Sequence, residues 1–415
     1  MKKHFALALA VMGTAFVFTS CSDDKDDPVV PGESLVAKTY TASEGLVLNV
    51  DGTATTGQTV DFTPATDGTA KLTIKGEALD ITSLIPDMSA RDAAPALSFP
   101  TSCVIPGSAE ASFTVTLTGD ADKATFTGSS DTEYCTFSYS GEVSKDAMTL
   151  NLSDIKLKDT SMAGTYNTHA YEDKIFNELR AYWVSEKKIE VFGSEMDVNA
   201  VINVAFALTK LEFGDKTLPI PALLPEVLKS VTFGEDGSIT AKYTDTEVEG
   251  MPVKDSPKGL ARYVVKDDHT LLVFLDPQAI IATAMSAASK SRAIDINALL
   301  EGLITNVVPM LANGVPVNYG ARMSDLLLND GTYSPVYDTD ANAVSFYLGT
   351  ETLLPILKTL SPLFTDEDVI QAIVDAASQD PDMGIMAGML PNILKSLPAV
   401  IDGTSQIELG INLYK

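Results

Sequence analysis

The segment Ser112-Phe113-Thr114-Val115-Thr116-Leu117-Thr118 alternates hydroxyl and apolar side chains without a break. Successive side chains of a strand point to opposite faces, so Phe113, Val115 and Leu117 share one face. The same alternation recurs in three shorter segments, 46–50, 72–74 and 148–152. After the last of these, a β-bulge near Ser153-Asp154 would bring Ile155 and Leu157 back to the inward face. Residues 35–160 are therefore predicted to form an all-β domain, either a sandwich or a barrel.

Residues 161–415 change character, because strand patterns there alternate with apolar helical ones. A hairpin is predicted from Gly259–Lys266 and Thr270–Leu275, with its turn at Asp267-Asp268. Helical spacing of apolar residues occurs in five segments, 278–290, 294–311, 352–364, 366–377 and 384–397. We expect an antiparallel sheet covered by these apolar helices, so the predicted fold class of the chain is α+β.

Three short motifs recur in the same order within this second part. Gly164-Thr165-Tyr166 returns as Gly331-Thr332-Tyr333, and LPEVLKS at 224–230 returns as LPNILKS at 390–396. An Asp-Gly pair follows each copy of the longer motif. Such ordered recurrence is typical of duplicated units. We therefore expect an internal duplication, with units at about 164–243 and 331–415.

The charge of the chain excludes one class of partner. Its 415 residues include 56 acidic and 29 basic side chains, which gives a formal charge of −27. A surface of this kind repels a phosphate backbone, so nucleic acid is excluded as a partner. Apolar residues make up 45% of the chain, which is enough for the cores of two or three domains.

The first residues have the anatomy of a bacterial export signal. Two lysines precede an apolar stretch, and small residues then lead into Cys21. This pattern resembles the lipoprotein type, so residues 1–20 are expected to be a signal peptide whose removal leaves Cys21 to carry lipid. The alternative is an ordinary secretory peptide in which Cys21 is incidental. Residues 21–34, rich in Asp, are expected to form a flexible acidic tether.

This leader, the acidic tether and the Gly-Thr-Tyr openings resemble an uncharacterised family of Bacteroidota lipoproteins of similar length. The resemblance implies attachment to the outer membrane by the lipid on Cys21, with the body facing the cell exterior. It implies no activity and no functional residues, because the function of this family is not known.

Two cysteines, Cys103 and Cys135, fall within the predicted all-β domain. In an oxidising compartment they can form a disulfide, which would stabilise the domain by about 3–4 kcal/mol. The alternative is a pair of unbonded, buried thiols that behave as small apolar groups.

Sequence motifs for catalysis and for cofactor binding are absent. The chain has no Gly-x-Ser-x-Gly, no phosphate-binding loop and no His-Glu-x-x-His. His169 and His269 have no second ligand near them in sequence, so no metal site is expected. Asp338–Asn342 begins like a calcium-binding loop, but Ala343 stands where that loop requires Gly. We therefore predict a protein that is not an enzyme and needs no cofactor or metal.

The apolar helices near the C-terminus suggest one binding site. Met383, Met386 and Met389 lie close in sequence to Ile393, and segment 278–312 contains only four charged side chains. These residues either fill a core, where Met adapts to irregular gaps, or line an apolar pocket of about 300–1,000 Å³. The sequence thus favours a membrane-anchored binding or interaction module for a hydrophobic small molecule or protein partner. Alternatives are an adhesin, an accessory protein for nutrient (glycan) capture and, less favoured, a hydrolase.

Overall fold

Strands dominate the chain, and they close into a barrel where the sequence suggested a sheet covered by helices. The computed structural model describes residues 29–80, 98–99, 101–169, 178–191, 193–246, 248–275, 310, 313–329, 332–378 and 384–415. Of these residues, 50% lie in strands and 22% in helices. The α+β prediction is wrong, because eight antiparallel strands of the second part form one closed barrel. The predicted helices at 278–290 and 294–311 lie almost wholly outside the described residues.

Two sheets form the N-terminal part of the described chain. The four-stranded sheet, in the order β1-β4-β5-β8, consists of β1 (Lys38–Tyr40), β4 (Gln58–Pro64), β5 (Thr69–Gly76) and β8 (Glu110–Thr116). The six-stranded sheet, in the order β3-β2-β12-β11-β10-β9, consists of β2 (Leu46–Val50), β3 (Thr53–Thr55), β9 (Thr118–Gly119), β10 (Lys123–Asp131), β11 (Cys135–Ser144) and β12 (Met148–Leu157). A separate pair is formed by β6 (Leu79–Asp80) and β7 (Ser98–Phe99). Among the described strands, β2 and β12 alone pair in parallel.

The inward faces of these two sheets pack as a sandwich. Phe113 of the smaller sheet meets Phe137 of the larger one edge-on, with ring centroids 5.4 Å apart, and Tyr139 at 4.8 Å. The expected bulge is present, since the register of β11 and β12 shifts beside Phe137 and Asp154 takes a φ of 53°. This shift returns Leu157 to the buried face.

The barrel follows the sandwich directly. Its strands, in the order around the barrel, are β13 (Gly164–Asn167), β19 (Leu228–Phe233), β20 (Ser238–Thr244), β22 (Ala261–Asp267), β23 (Thr270–Leu275), β24 (Val315–Ala321), β27 (Ala343–Leu348) and β28 (Thr404–Tyr414). Asn167 pairs with Tyr414 and closes the ring. The predicted hairpin is confirmed as β22 and β23. Two further strands join the sheet, β14 (Leu179–Ser185) on β28 and β21 (Val253–Asp255) on β20.

Aromatic side chains fill the barrel interior. The Phe233 ring lies 5.5 Å from Tyr166, 5.0 Å from Tyr263 and 5.2 Å from Phe346, measured between centroids. Ring pairs at these distances contribute about 0.5–1.5 kcal/mol each beyond their area burial. The interior is therefore a packed core that is continuous with the core of the sandwich.

In the described part of the chain, three hairpins and five α-helices lie outside these sheets. The hairpins are β15 (Ile189–Val191) with β16 (Ser194–Met196), β17 (Lys210–Phe213) with β18 (Lys216–Pro219), and β25 (Met323–Asn329) with β26 (Thr332–Tyr337). The described α-helices are α1 (Val198–Leu208), α2 (Ile220–Val227), α3 (Thr350–Leu360), α4 (Glu367–Ser378) and α5 (Gly384–Asp402), with short 3₁₀ turns at Ala42–Glu44 and Ser361–Thr365. The last three helices confirm the helical segments predicted from residue 352 onward.

The expected duplication is wrong, because the recurring motifs adopt different structures. Tyr166 is buried in barrel strand β13, whereas Tyr333 lies in the separate hairpin of β25 and β26. LPEVLKS spans the end of α2 and the start of β19, whereas LPNILKS lies wholly inside α5. The secondary structure of this seven-residue motif therefore depends on the segments around it. The first copy pairs with β13 and β20, and the second continues a helix that begins at Gly384.

Candidate functional site: an apolar cleft beside Trp183

Helices pack on the face of β14 and β28 that continues the barrel interior, which is the face opposite the outer surface of the barrel. Trp183 and Ile407 from these strands share a core with Val198 of α1 and Met389 of α5, and Ile393 packs against its edge. Met389 and Ile393 therefore lie in a filled helical core. Met383 lies outside the described residues, and so does the side chain of Met386.

An apolar cleft lies beside this core. It has a volume of about 170 Å³ and is lined by Ala181, Tyr182, Trp183, Asn199, Ile202, Phe206, Leu353, Leu357, Ile407, Glu408 and Leu409. None of the four residues that the sequence suggested for an apolar pocket is among them. The volume is also smaller than the 300–1,000 Å³ expected from the sequence.

Strand register builds the floor of the cleft. Ala181 lies opposite Leu409, and Trp183 lies opposite Ile407, on the antiparallel strands β14 and β28. Because side chains alternate along a strand, these four share one face of the sheet. They are apolar, so this face is water-repellent wherever helices leave it uncovered.

Two helices supply the walls of the cleft. Ile202 and Phe206 are four residues apart on α1, and Leu353 and Leu357 are four residues apart on α3. Residues at this spacing lie one above the other on the same side of a helix. Each helix therefore turns one apolar pair toward the same space above the β14–β28 floor. Leu409, which is 41% exposed, forms part of the rim.

Hydrogen bonds hold the tryptophan and the first helix in place. The main-chain N–H of Trp183 donates to Asn199 Oδ1 at 2.6 Å, and its indole Nε1 donates to Thr404 Oγ1 at 2.7 Å. Asp197 caps α1 by accepting from the Asn199 N–H at 2.8 Å. The indole N–H and the Asn199 side chain therefore already make hydrogen bonds within the protein. The surface that the cleft offers to a ligand is hydrocarbon.

The opposite face of the same two strands carries buried polar groups. Arg180 donates through Nη2 and Nε to Glu408 Oε2, at 2.7 and 3.0 Å, and Gln406 donates to Glu408 Oε1 at 2.9 Å. The guanidinium also lies 3.7 Å from the ring centroid of Tyr347. Arg180 and Tyr347 both pair with Gly410 in register, so the arginine crosses a position without a side chain.

These polar groups do not form an activated nucleophile. The Ser345 hydroxyl donates to Asn412 Oδ1 at 2.5 Å, and an amide oxygen is not a base that could take its proton. Both Glu408 oxygens already accept hydrogen bonds. Together, these groups bind one another on the face of β14 and β28 that lies opposite the cleft.

The histidines and the calcium-like loop hold no ligand cluster. His169 stacks on Tyr414, with centroids 3.5 Å apart, and His269 donates its main-chain N–H to Asp267 in a turn. Asp338 accepts from the Asp340 N–H and pairs with Arg322 at 3.1 Å, and these contacts hold the pKa of Asp338 below its usual value. Across the described part of the chain, no group of three or more His, Cys, Asp or Glu is placed to hold a metal.

The two cysteines of the sandwich are free thiols in this structure, and both are buried. Burial raises the pKa of Cys103 to about 12 and also raises that of Cys135. Thiolate is the reactive form, so neither cysteine is placed to act as a nucleophile.

Comparison with protein-family models, curated proteins and solved structures finds no match. The cleft is therefore interpreted from its own geometry. Cys21, the expected lipidation site, lies outside the described residues. Within the described ranges, no helix has both the length and the apolar character needed to cross a membrane.

Sequence reasoning missed most of the cleft. The apolar pairs at 202 and 206 and at 353 and 357 are visible in the sequence as helical spacing. Nothing local indicates that β14 pairs with β28, which is the contact that brings these helices together.

Proposed function

We propose that the protein is a binding module that holds one small apolar group, a hydrocarbon chain or an aromatic ring, in the cleft beside Trp183. The observation that carries the proposal is a cavity of about 170 Å³ with hydrocarbon walls. An apolar protein cavity of about 150 Å³ stays dry and binds benzene. The cleft thus matches one ring or a short hydrocarbon segment.

The size of the cleft also sets the affinity. Full burial of a side chain such as Leu or Phe contributes about 1.5–3 kcal/mol. A free energy of about −4 kcal/mol corresponds to a Kd of about 1 mM. One buried group contributes less than this, so an isolated apolar group binds with a Kd of roughly 5–100 mM, and a tighter ligand must extend beyond the cleft. The proposal assigns no catalytic residue.

The location proposed for this module rests on the leader. An apolar stretch ending in small residues before Cys21, followed by an acidic tether, supports lipid attachment at Cys21 and exposure from the outer membrane. Labelling with a fatty-acid analogue should mark the wild type and not Cys21→Ala. Protease treatment of intact cells should then digest the anchored protein, whereas full protection would place it on the inner face.

Tryptophan fluorescence tests occupancy of the cleft. Trp183 is the only tryptophan of the chain, and it lines the cleft. Bromobenzene, a ring that carries a heavy-atom quencher, should quench its emission in proportion to occupancy of the cleft. Leu409→Asp, which places a charge at the rim, should weaken this quenching at least tenfold. Leu211→Asp is the matched control, because Leu211 is 44% exposed and does not line the cleft. Equal quenching of both variants would contradict the proposal.

A further inference from the structure

The hairpin of β25 and β26 is a strap laid over the outside of the barrel. It is inserted between β24 and β27, which pair directly with each other, and its two strands pair only with one another. Met323 and Leu326 of the strap pack against Tyr182 and Val184 of β14. Among the described strands, no main-chain ladder joins the strap to the barrel sheet, and side chains make the contact.

The barrel side chains under the strap contact main-chain atoms of the strap and its base. Tyr182 donates its hydroxyl to the Tyr333 carbonyl of the strap at 3.3 Å, and Arg180 donates to the carbonyl of Ala321, the last residue of β24, at 3.4 Å. Ser345 accepts from the Met323 N–H at 3.3 Å, and Asn412 donates to the Met323 carbonyl at 3.5 Å. These are atoms that every residue offers. The face thus recognises an extended main chain and not a particular side chain.

The strap covers polar groups whose burial carries a free-energy cost. Ser345 and Asn412 are 0% exposed, Arg180 is 2% exposed and Glu408 is 9% exposed. Burying such groups carries a desolvation cost, which water would relieve on opening. The three bonds to the strap main chain measure 3.3–3.5 Å, beyond the usual 2.7–3.2 Å of N–H···O bonds and 2.5–3.0 Å of O–H···O bonds.

We propose that the strap detaches as a unit and that this barrel face then holds the main chain of an extended polypeptide segment. In the closed form, the strap is an intramolecular occupant of that face. The partner is accordingly a peptide in an extended conformation, recognised with little dependence on its sequence. This site is on the opposite side of β14 and β28 from the apolar cleft, and neither proposal depends on the other.

Two neighbouring leucines of the strap provide a matched pair of variants. Leu326 packs on Tyr182, whereas Leu327 is 51% exposed. Leu326→Ala should speed hydrogen exchange of the strap amides about tenfold while β27 and β28 keep their protection. A fluorescein-labelled peptide with the sequence of residues 321–337 should bind the full-length Leu326→Ala protein about tenfold more tightly than the Leu327→Ala protein. Protection of β28 also verifies that each variant is folded.

A second pair of variants tests the face itself. Tyr182→Phe removes one bond to the strap main chain, so it should also speed strap exchange and, in the Leu326→Ala background, should weaken peptide binding about threefold. Tyr319→Phe, which removes a bond to Asp267 elsewhere on the barrel, is the control and should do neither. If the strap amides exchange at the same slow rate as the β28 amides in every variant, the strap does not detach and the proposal is overturned. It is also overturned if the peptide binds the Leu326→Ala and Leu327→Ala proteins with equal affinity.

Discussion

The Trp183 indole donates to the hydroxyl of Thr404 at 2.7 Å across 221 residues of sequence. This bond joins β14, which enters the sheet after the first barrel strand, to the start of β28, the last strand of the chain. It also fixes the ring that lines the cleft. The cleft therefore exists only when both ends of the C-terminal part have come together.

Replacing Thr404 with Val should destabilise the fold. The change keeps the shape of the side chain but leaves the indole N–H without its acceptor, which costs about 1–3 kcal/mol for a buried group. Urea unfolding followed by circular dichroism measures the change. Ser405→Ala, at an exposed neighbouring position, is the control and should leave the unfolding midpoint unchanged. Equal midpoints for Thr404→Val and the wild type would show that the bond contributes nothing.

Removing one charge of the buried Arg180–Glu408 pair should lower the stability of the protein more than replacing both residues with apolar ones. Glu408→Gln leaves the guanidinium buried without its counter-charge, and such changes cost about 3–5 kcal/mol. The double variant Arg180→Met with Glu408→Leu removes both charges and should be less destabilised than Glu408→Gln. Lys395→Gln breaks an ion pair between exposed side chains and should leave stability unchanged. A double variant that is less stable than Glu408→Gln would refute this account of the pair.

The buried thiols predict a fall in stability at alkaline pH. In the folded protein the pKa of Cys103 is raised to about 12, whereas an unfolded thiol ionises near pH 8.5. The stabilising contribution is therefore complete below about pH 8.5 and is lost as pH rises from there toward 12. Urea unfolding from pH 8 to 11 should show this decline, with a smaller slope for Cys103→Ala. In parallel, a thiol reagent at pH 8 should label Cys103 only after unfolding, and rapid labelling of the native protein would contradict its burial.

The sequence predicts local features of this fold well. The alternation around Phe113 places an inward face correctly, and helical spacing identifies α3, α4 and α5. A change of phase after residue 152 reveals the bulge at Asp154. Each of these features depends on residues that are close in the chain, so periodicity alone is enough to find it.

Features that depend on distant pairing could not be predicted in this way. The barrel closes through Asn167 and Tyr414, and nothing near either residue indicates the other. The same limit applies to Ala181 and Leu409, whose pairing makes the floor of the cleft. The methionines were a misleading signal for the site, since Met389 fills a core that the cleft only adjoins.

The most direct test of the cleft is to locate a bound ring in crystals. Bromobenzene can be diffused into crystals of the protein, and the anomalous scattering of its bromine marks its position. The account predicts a bromine peak between Trp183, Phe206 and Leu357, and no peak there in Leu409→Asp crystals. A cleft that stays empty in wild-type crystals saturated with bromobenzene, or a peak only elsewhere on the molecule, would contradict it.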